Sequence, residues 1–527
     1  MAPPGLVALL ALSASLVNAR LQDGRPHGNA PPIPVLPVVE VLDSRTEAFQ
    51  FSGSSIPPYN TVYYFDQLID HDDASKGTFS QRYWHTWEFY QPGGPIILMT
   101  PGEANAAPYF GYLTNTSITG LIAQQEHGAT IVLEHRFYGL SNPYPDLTPE
   151  SLKYHTIQQA IDDLEYFANN VALPMPNGTG VTPDKAPWIL VGGSYSGALT
   201  SWTMVNKPGL FWAGYASSAV VEAITDFWTY FEPIRQNMPV NCSADVAAVI
   251  AYVDETFSGE NTTAIDELKA TFGLSDVTHL DDAAGALRNN LWDWQSLQTN
   301  SGPGTQFTKF CDALEVKDGE VAGEEGWGLE NALASWGGYW RDTYYSLLCG
   351  DANAEDCFGS YNASQEIYTN TDIDNTWRSW FWIVCNEVGY YQDGPPLGVD
   401  IKPIVTRLVN VETNYDARQC QLMYQDTYAS PPLPDVERTN TVYKGWDVSI
   451  ERLFFANGLR DPWREATMNA EGVEIQSTDR QPIVLSDGFH CSDLSAARGA
   501  SDASIGALHK QALESMHNWL AEFTSSA

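Results

Sequence analysis

The run Ala186-Pro-Trp-Ile-Leu-Val-Gly-Gly-Ser-Tyr-Ser-Gly-Ala-Leu199 constrains this chain more than any other stretch. An apolar segment of strand length breaks into a glycine-flanked serine and resumes as a helix-forming segment. A strand-to-helix turn of this kind holds a hydroxyl clear of the backbone and beside the free amides of a helix start, which is what a nucleophilic serine needs. Ser194 occupies the apex. The fifth position of the G-x-S-x-G pattern is Ser196, with glycine one residue later at Gly197, and serine is small enough for the same turn. Glycine and serine clusters also build ordinary turns, so a nucleophile and a structural turn both stay open on this stretch alone.

An acid and a base stand near the C-terminus. Arg452-Leu-Phe-Phe-Ala-Asn-Gly-Leu-Arg-Asp-Pro-Trp463 reads as a buried strand, an Asn-Gly turn and then Asp461 fixed ahead of a proline. A second apolar strand, Pro482-Ile-Val-Leu485, runs into Ser486-Asp-Gly-Phe-His-Cys-Ser-Asp-Leu494 and places His490 on the loop that follows. Ser194, Asp461 and His490 thus come in the order Ser, Asp, His, each just after a predicted strand, where open α/β sheets gather their active sites. Alone, Asp461 is an ordinary turn former and His490 an ordinary loop histidine; their joint order with Ser194 favours a catalytic triad. This chemistry calls for no metal and no cofactor, and neither is expected.

The surrounding pattern predicts the fold. Strand candidates at 95–100 and 129–134, a helical repeat of Ile157, Ile161, Leu164 and Ala168, the elbow strand and its helix, and a strand near 214–218 alternate β with α, which implies a parallel sheet covered on both faces. From 222 to 435 the alternation stops, and this stretch is expected to be a mainly helical cap inserted into an α/β-hydrolase domain of residues 56–221 and 436–527. A C-terminal helix with Leu508, Ala512, Trp519 and Phe523 on one face would complete that domain.

The start of the chain looks like an export signal. Residues 1–19 carry an apolar core from Leu6 to Leu16 and a small-residue cleavage site, and the proline-rich residues 20–55 read as a mobile leader or pro-segment without a core of its own. N-x-S/T sequons at Asn115, Asn177, Asn241, Asn261 and Asn362 fit a secretory route. So do seven cysteines. Cys491, next to His490, is the expected odd thiol, and the grouping of the others suggests Cys242 with Cys311, Cys349 with Cys357 and Cys385 with Cys420, although sequence alone leaves the connectivity open.

With 65 acidic against 27 basic residues the formal charge is −38, which argues against nucleic acid or an anionic membrane as a partner. No apolar run beyond the first is long enough to span a bilayer. Self-repulsion on this scale falls as carboxylates protonate, so an acidic working environment and plain solubility are both consistent with it.

Taken with Tyr64-Phe-Asp-Gln-Leu-Ile-Asp-His71, Gly77-Thr-Phe-Ser-Gln-Arg-Tyr83 and Glu134-His-Arg-Phe-Tyr-Gly139, the elbow and the Asp461 and His490 segments resemble the prolyl carboxypeptidase and dipeptidyl peptidase II family of serine peptidases. The likeness is nearest to its secreted fungal branch of acid prolyl endopeptidases and runs from Tyr64 onward. It implies an α/β-hydrolase core with a helical, disulfide-bearing cap, and hydrolysis on the carboxyl side of proline in acid, outside the cell or in a lysosome-like or vacuole-like compartment. Ser194 would be the nucleophile, His490 the base and then the acid, and Asp461 its orienting partner. The amides of Tyr195 and of Gly102, in the Thr100-Pro-Gly-Glu103 loop, would bind the oxyanion. Trp382 and Trp463 are the candidates for a flat apolar proline slot, and Glu103 and Glu387 for a substrate amino terminus. Release of single residues or dipeptides by the same triad, a lipase or esterase, and a non-enzymatic binding module are the alternatives.

Overall fold

The computed structural model describes residues 25–41, 48–49 and 55–524. The expected signal segment of residues 1–19 lies outside them. Five of the apolar runs form strands whose every residue is buried: β3 (Ile96–Thr100), β4 (Ala129–Leu133), β5 (Trp188–Gly193), β6 (Ala213–Ser217) and β7 (Leu453–Gly458). Burial on both faces is what a parallel sheet under helices requires, and it explains why these runs do not alternate in polarity. β1 (Tyr63–Leu68) does alternate, with Tyr64 and Asp66 facing solvent, because it is an edge strand. With β2 (Thr78–Thr86) and β8 (Ile483–Ser486), eight strands make one sheet in the order β8-β7-β6-β5-β3-β4-β2-β1. β2 runs antiparallel to both its neighbours, and every other pairing is parallel.

Alternate residues of β3, β4 and β5 feed two cores, while Ala216, Leu453 and Phe455 of β6 and β7 belong to a third, smaller one. Ile97, Met99, Val132, Ile189 and Val191 pack with Ile118 and Ile122 of the helix Ile118–Glu126 and with Leu508, Ala512, Met516 and Trp519 of the helix Ala503–Leu520. Leu98, Ile131, Leu133 and Leu190 pack on the opposite face with the helices Ile157–Asn170 and Ser194–Asn206, and that cluster continues into the cap. The first of these two helices begins where Thr156 accepts a hydrogen bond from the amide of Gln159, an N-cap that stops it from starting earlier. Phe523, expected on the last helix, lies beyond its end and packs edge-on against Trp212 at 5.2 Å.

Strand order reverses between β3 and β5, which are neighbours although β4 lies between them in sequence. The loops after β3 and β5 therefore flank the crevice where doubly wound sheets bind ligands. The loops after β7 and β8 open at the same end. Between β6 and β7 the chain is mainly helical. The helices Val240–Phe257 and Gln306–Glu315 are joined by Cys242–Cys311, and Cys349–Cys357 and Cys385–Cys420 close further loops. Cys491 is free and buried.

The leader differs from expectation. Residues 25–41, read from their composition as mobile, lie packed along the molecule with Ala30, Leu36 and Val39 buried. Their prolines and aliphatic side chains find an apolar groove between cap and sheet domain, which composition alone does not reveal. Of the sequons, Asn115, Asn177, Asn261 and Asn362 are exposed, whereas the amide of Asn241 is half-buried and donates to the carbonyl of Ala322 at 3.3 Å.

Glycine is obligatory at the end of β5. A Cβ on Gly192 would sit 2.0 Å from the carbonyl oxygen of Ser196. Gly192→Ala is expected to cost about 3 kcal/mol, the upper range for overpacking, measured as a lowered denaturation midpoint in urea at unchanged m-value.

Candidate active site

The chain leaves β5 at Gly193 and enters the helix Ser194–Asn206 at once, which forces Ser194 to a φ of 57°. A non-glycine residue holds that left-handed conformation only where its surroundings impose it. Here Ser196 helps impose it: its hydroxyl donates to the Gly193 carbonyl at 2.8 Å and accepts from the Gly193 amide at 3.2 Å. The serine that stands where the motif has glycine therefore ties the elbow together. The first amides of the helix have no carbonyl one turn back to bond, so the Tyr195 N–H stands at the positive end of the helix. Gly102, at φ 71°, lies against Ser196, where an added Cβ would come within 3.1 Å of the serine Cβ; its own amide faces the Thr100 hydroxyl at 3.4 Å.

The three residues of the expected triad leave the carboxyl ends of β5, β7 and β8. His490 donates from Nδ1 to Asp461 Oδ1 at 2.9 Å, and the same oxygen accepts the Trp463 amide at 2.9 Å. Nε2 of His490 and Oγ of Ser194 have no hydrogen-bond partner, and both side chains are buried. The histidine loop touches the elbow directly, since a Cβ on Gly193 would lie 3.0 Å from Cys491 Sγ and 2.8 Å from Leu494. That loop is anchored to β6: Asp493 accepts from Tyr215 and Ser217, each at 2.7 Å, and the Cys491 amide donates to Ser218 at 3.0 Å. Burial, the largest single influence, works against a charged imidazole, but Asp461 and the adjoining Cys491 together overcome it and hold His490 above the ordinary histidine range. Burial pushes the Cys491 thiol up, away from the thiolate that a nucleophilic cysteine needs.

An aromatic wall adjoins this group. The Trp463 ring lies 6.2 Å from His490 and within 5.5 Å of Phe227, Tyr230 and Tyr390, and its indole N–H donates to Gln295 at 2.7 Å. A narrow cleft beside it is lined by Trp377, Trp380, Phe381, Tyr390 and Trp463. Trp382 is not part of it. On the helix Thr376–Ile383 it points away from Trp380, donates to the His155 carbonyl at 3.1 Å and packs edge-on against Tyr424, because residues two apart lie on opposite sides of a helix. Trp380 instead reaches Tyr195, at 5.5 Å between rings. The helical spacing of Trp377, Trp380, Phe381 and Val384 was the signal that marks the cleft face.

The two acids part ways as well. Glu387 accepts the Ile157 amide at 2.9 Å and stands 3.9 Å from Arg438, so it secures the start of a helix rather than a vacant site. Glu103 is buried with both carboxyl oxygens unpartnered. Burial raises its pKa to about 8, with His490 offsetting only part of the effect, so it is a neutral acid near the histidine. Burial likewise takes Glu387 to about 7.

Sheet order and glycine-flanked elbow place the chain in the α/β-hydrolase class. Residues 67–512 match the family described as serine carboxypeptidase S28. The chain belongs to that family and is a serine peptidase, which removes the lipase, esterase and non-enzymatic alternatives. It is 34% identical over 481 residues to the serine protease vicPa of Bipolaris victoriae (strain FI3), covering 87% of this chain and 88% of that protein. It is 31% identical over 454 residues to a probable extracellular serine carboxypeptidase of Arthroderma benhamiae, covering 81% of this chain and 62% of that one. The human thymus-specific serine protease is 24% identical over 476 residues, covering 87% of this chain and 86% of its own length. Among solved structures, a lipase in its open form covers 87% of this chain and 99% of its own at 8% identity and a TM-score of 0.32. The overlap is too loose to add to the strand order.

The raised carboxyl groups have a consequence for stability. Between their ordinary 4.5 and the raised values, the folded protein holds protons that the unfolded chain releases, so stability is full in acid and falls as pH rises toward 8. Burial lowers His85 and His135 to about 4, which acts in the opposite sense only below their ordinary 6.5. From pH 6.5 to 8 those histidines no longer oppose the carboxyl groups, and His490, held above 6.5, acts in the same direction as the carboxyls. The thermal midpoint should therefore drop across that window, and Glu103→Gln should flatten the drop, as read by calorimetry in matched buffers.

Proposed function

We propose that this peptidase is secreted and cleaves on the carboxyl side of proline through a Ser194–His490–Asp461 triad. The observation that carries the reading is His490: its Nδ1 is held by Asp461, its Nε2 is free, and its loop lies against the elbow that presents Ser194. In this scheme Ser194 Oγ attacks the carbonyl carbon of the proline residue as His490 Nε2 takes its proton. The oxyanion forms beside the Tyr195 amide and the Gly102 loop. The imidazolium, stabilised by Asp461, then returns the proton to the leaving amine, and water resolves the acyl-enzyme by the same steps.

Proline suits the aromatic wall because its ring is compact and apolar and it brings no N–H that would need a partner there. Trp463 and Tyr390, with Trp380 in place of Trp382, are the surfaces proposed to receive it. Internal cleavage is favoured over capture of a chain end: the residues lining the cleft include Gln392 and Asp416 but no Lys or Arg to pair with a terminal carboxylate. The family description and the Arthroderma relative's name point to carboxypeptidase action as the second reading. Export is supported by the apolar start of the chain, the disulfides and the sequons, and by the word extracellular in that relative's name. No helix among the described residues is long and apolar enough to cross a membrane.

Charge and stability favour an acidic working range, whereas Asp461 raises the base and so limits how far activity extends into acid. The rate should fall as pH drops through the His490 pKa. Asp461→Asn removes the field that holds this pKa up, so the acid limb of kcat/KM should move to lower pH while kcat falls about 10⁴-fold. A peptide blocked at both ends with one internal proline should be cut after that proline, and Ser194→Ala should abolish the cut. An intact blocked peptide alongside a trimmed C-terminal Pro-X peptide would install the carboxypeptidase reading instead.

A further inference from the structure

The strap formed by residues 25–41 runs past both the aromatic cleft and the elbow. Its first part is locked into the cap. The Gly28 amide donates to the Cys357 carbonyl at 2.8 Å, and Asn29 donates to the carbonyls of Asp282 and Phe358 at 3.0 and 2.7 Å. Asn289 donates to the Gly28 carbonyl at 2.8 Å and accepts from Arg25 at 2.7 Å. Gly28 is pressed so closely that an added Cβ would come within 2.5 Å of the Phe358 ring.

The next residues enter the aromatic cleft. Pro31 and Pro32 line it together with Trp377, Trp380, Phe381, Tyr390 and Trp463, and the Trp377 indole donates to the Pro31 carbonyl at 3.1 Å. Gln295, which accepts from Trp463, donates at 3.4 Å to the Ile33 carbonyl. Three residues after that, Leu36 rests on the elbow, its Cδ2 2.8 Å from where a Cβ on Gly193 would stand. Beyond it, Tyr109 and Tyr112 donate to the carbonyls of Leu36 and Pro37 at 3.1 and 2.7 Å, and Gly111 lies flat against Val39. The run Ala30-Pro-Pro-Ile-Pro-Val-Leu-Pro37 thus spans from the Trp463 cleft to the residue next to Ser194. Proline-rich chain is extended before it binds, so it loses little freedom on being laid into such a groove.

We infer that residues 25–41 are a built-in occupant of the substrate groove, a proline-rich segment of the chain itself that blocks access to Ser194 until it is cut free or displaced. The inference rests on Ser194 being the nucleophile proposed above, and not on which peptides are cleaved. The anchors divide the work. Arg25 to Asn29 fix the strap to the cap, Pro31 and Pro32 wall off the aromatic cleft, and Leu36 to Val39 bridge to the sheet domain. A strap bonded to both sides also holds cap and sheet domain together across the groove that a long substrate would have to enter.

The test keeps the folded full chain. Residues 42–47 are replaced by the recognition sequence of a site-specific endopeptidase, so that the strap can be severed after folding and removed by gel filtration. Labelling of Ser194 by a fluorophosphonate should be at least tenfold faster after the cut. A fluorescent synthetic peptide of residues 25–41 should bind the strap-free protein and restore slow labelling, and the same peptide carrying Asn29→Ala and Leu36→Asp should bind at least tenfold more weakly. An uncut chain with Leu36→Asp should label faster than the parent without any cleavage. Equal labelling before and after strap removal, or a peptide that binds without slowing the probe, would overturn the inference. Labelling that obeys the strap in a protein that leaves every proline peptide intact would uphold the strap and fault the proposed specificity.

Discussion

The contact between the last turn of β5 and the first turn of its helix sets everything else in this molecule. Ser194 keeps a backbone conformation that an L-residue seldom adopts, and three things compel it: no side chain at Gly192, no side chain at Gly193, and a Ser196 hydroxyl bonded to both polar groups of Gly193. The helix can then pack flat on the sheet, where Gly197 allows it to approach the Ser217 carbonyl, and its unpaired amides face the crevice. Backbone strain is tolerated at one residue because the buried parallel strands on either side of β5 do not yield.

The histidine loop depends on the same end of the sheet. Asp493 binds two hydroxyls of β6, and Gly458 and Gly488 lie so near each other that a Cβ on Gly458 would come within 2.5 Å of the Gly488 carbonyl. These contacts, rather than the side chains of the proposed triad, decide where the imidazole stands. Asp461 is reserved for a subtler task. By accepting the Trp463 amide and the His490 ring on one oxygen, it links the proposed base to the wall against which the proline is proposed to rest.

How far sequence reasoning reached follows from which forces are local. The elbow, the two later loops and the strands show in sequence because each depends on near neighbours: an apolar run, a glycine pair, a turn. The order of the sheet follows from alternation of β with α. The cleft does not show, since Trp380 and Trp382 differ only in which way a short helix is turned, and that is settled by Tyr424 and His155 from distant parts of the chain. Glu387 was open to misreading for the same reason, because the amide it binds lies 230 residues away. The leader is the clearest case. Nothing in its composition tells a segment rich in proline and valine that the groove fitting it has been built from residues scattered between Tyr109 and Trp463.

All three disulfides join cap residues to cap residues, and none ties the cap to the sheet. The two halves of the enzyme therefore owe different debts to their surroundings. The sheet, with its eight hydrogen-bonded strands and two apolar faces, is indifferent to redox conditions, while the roof above it is stapled only where thiols can be oxidised. Such a chain made in a reducing cytosol would keep its core and lose definition in the roof that carries the aromatic wall, so that, if that wall selects substrates as proposed, the place of synthesis acts as a gate on specificity.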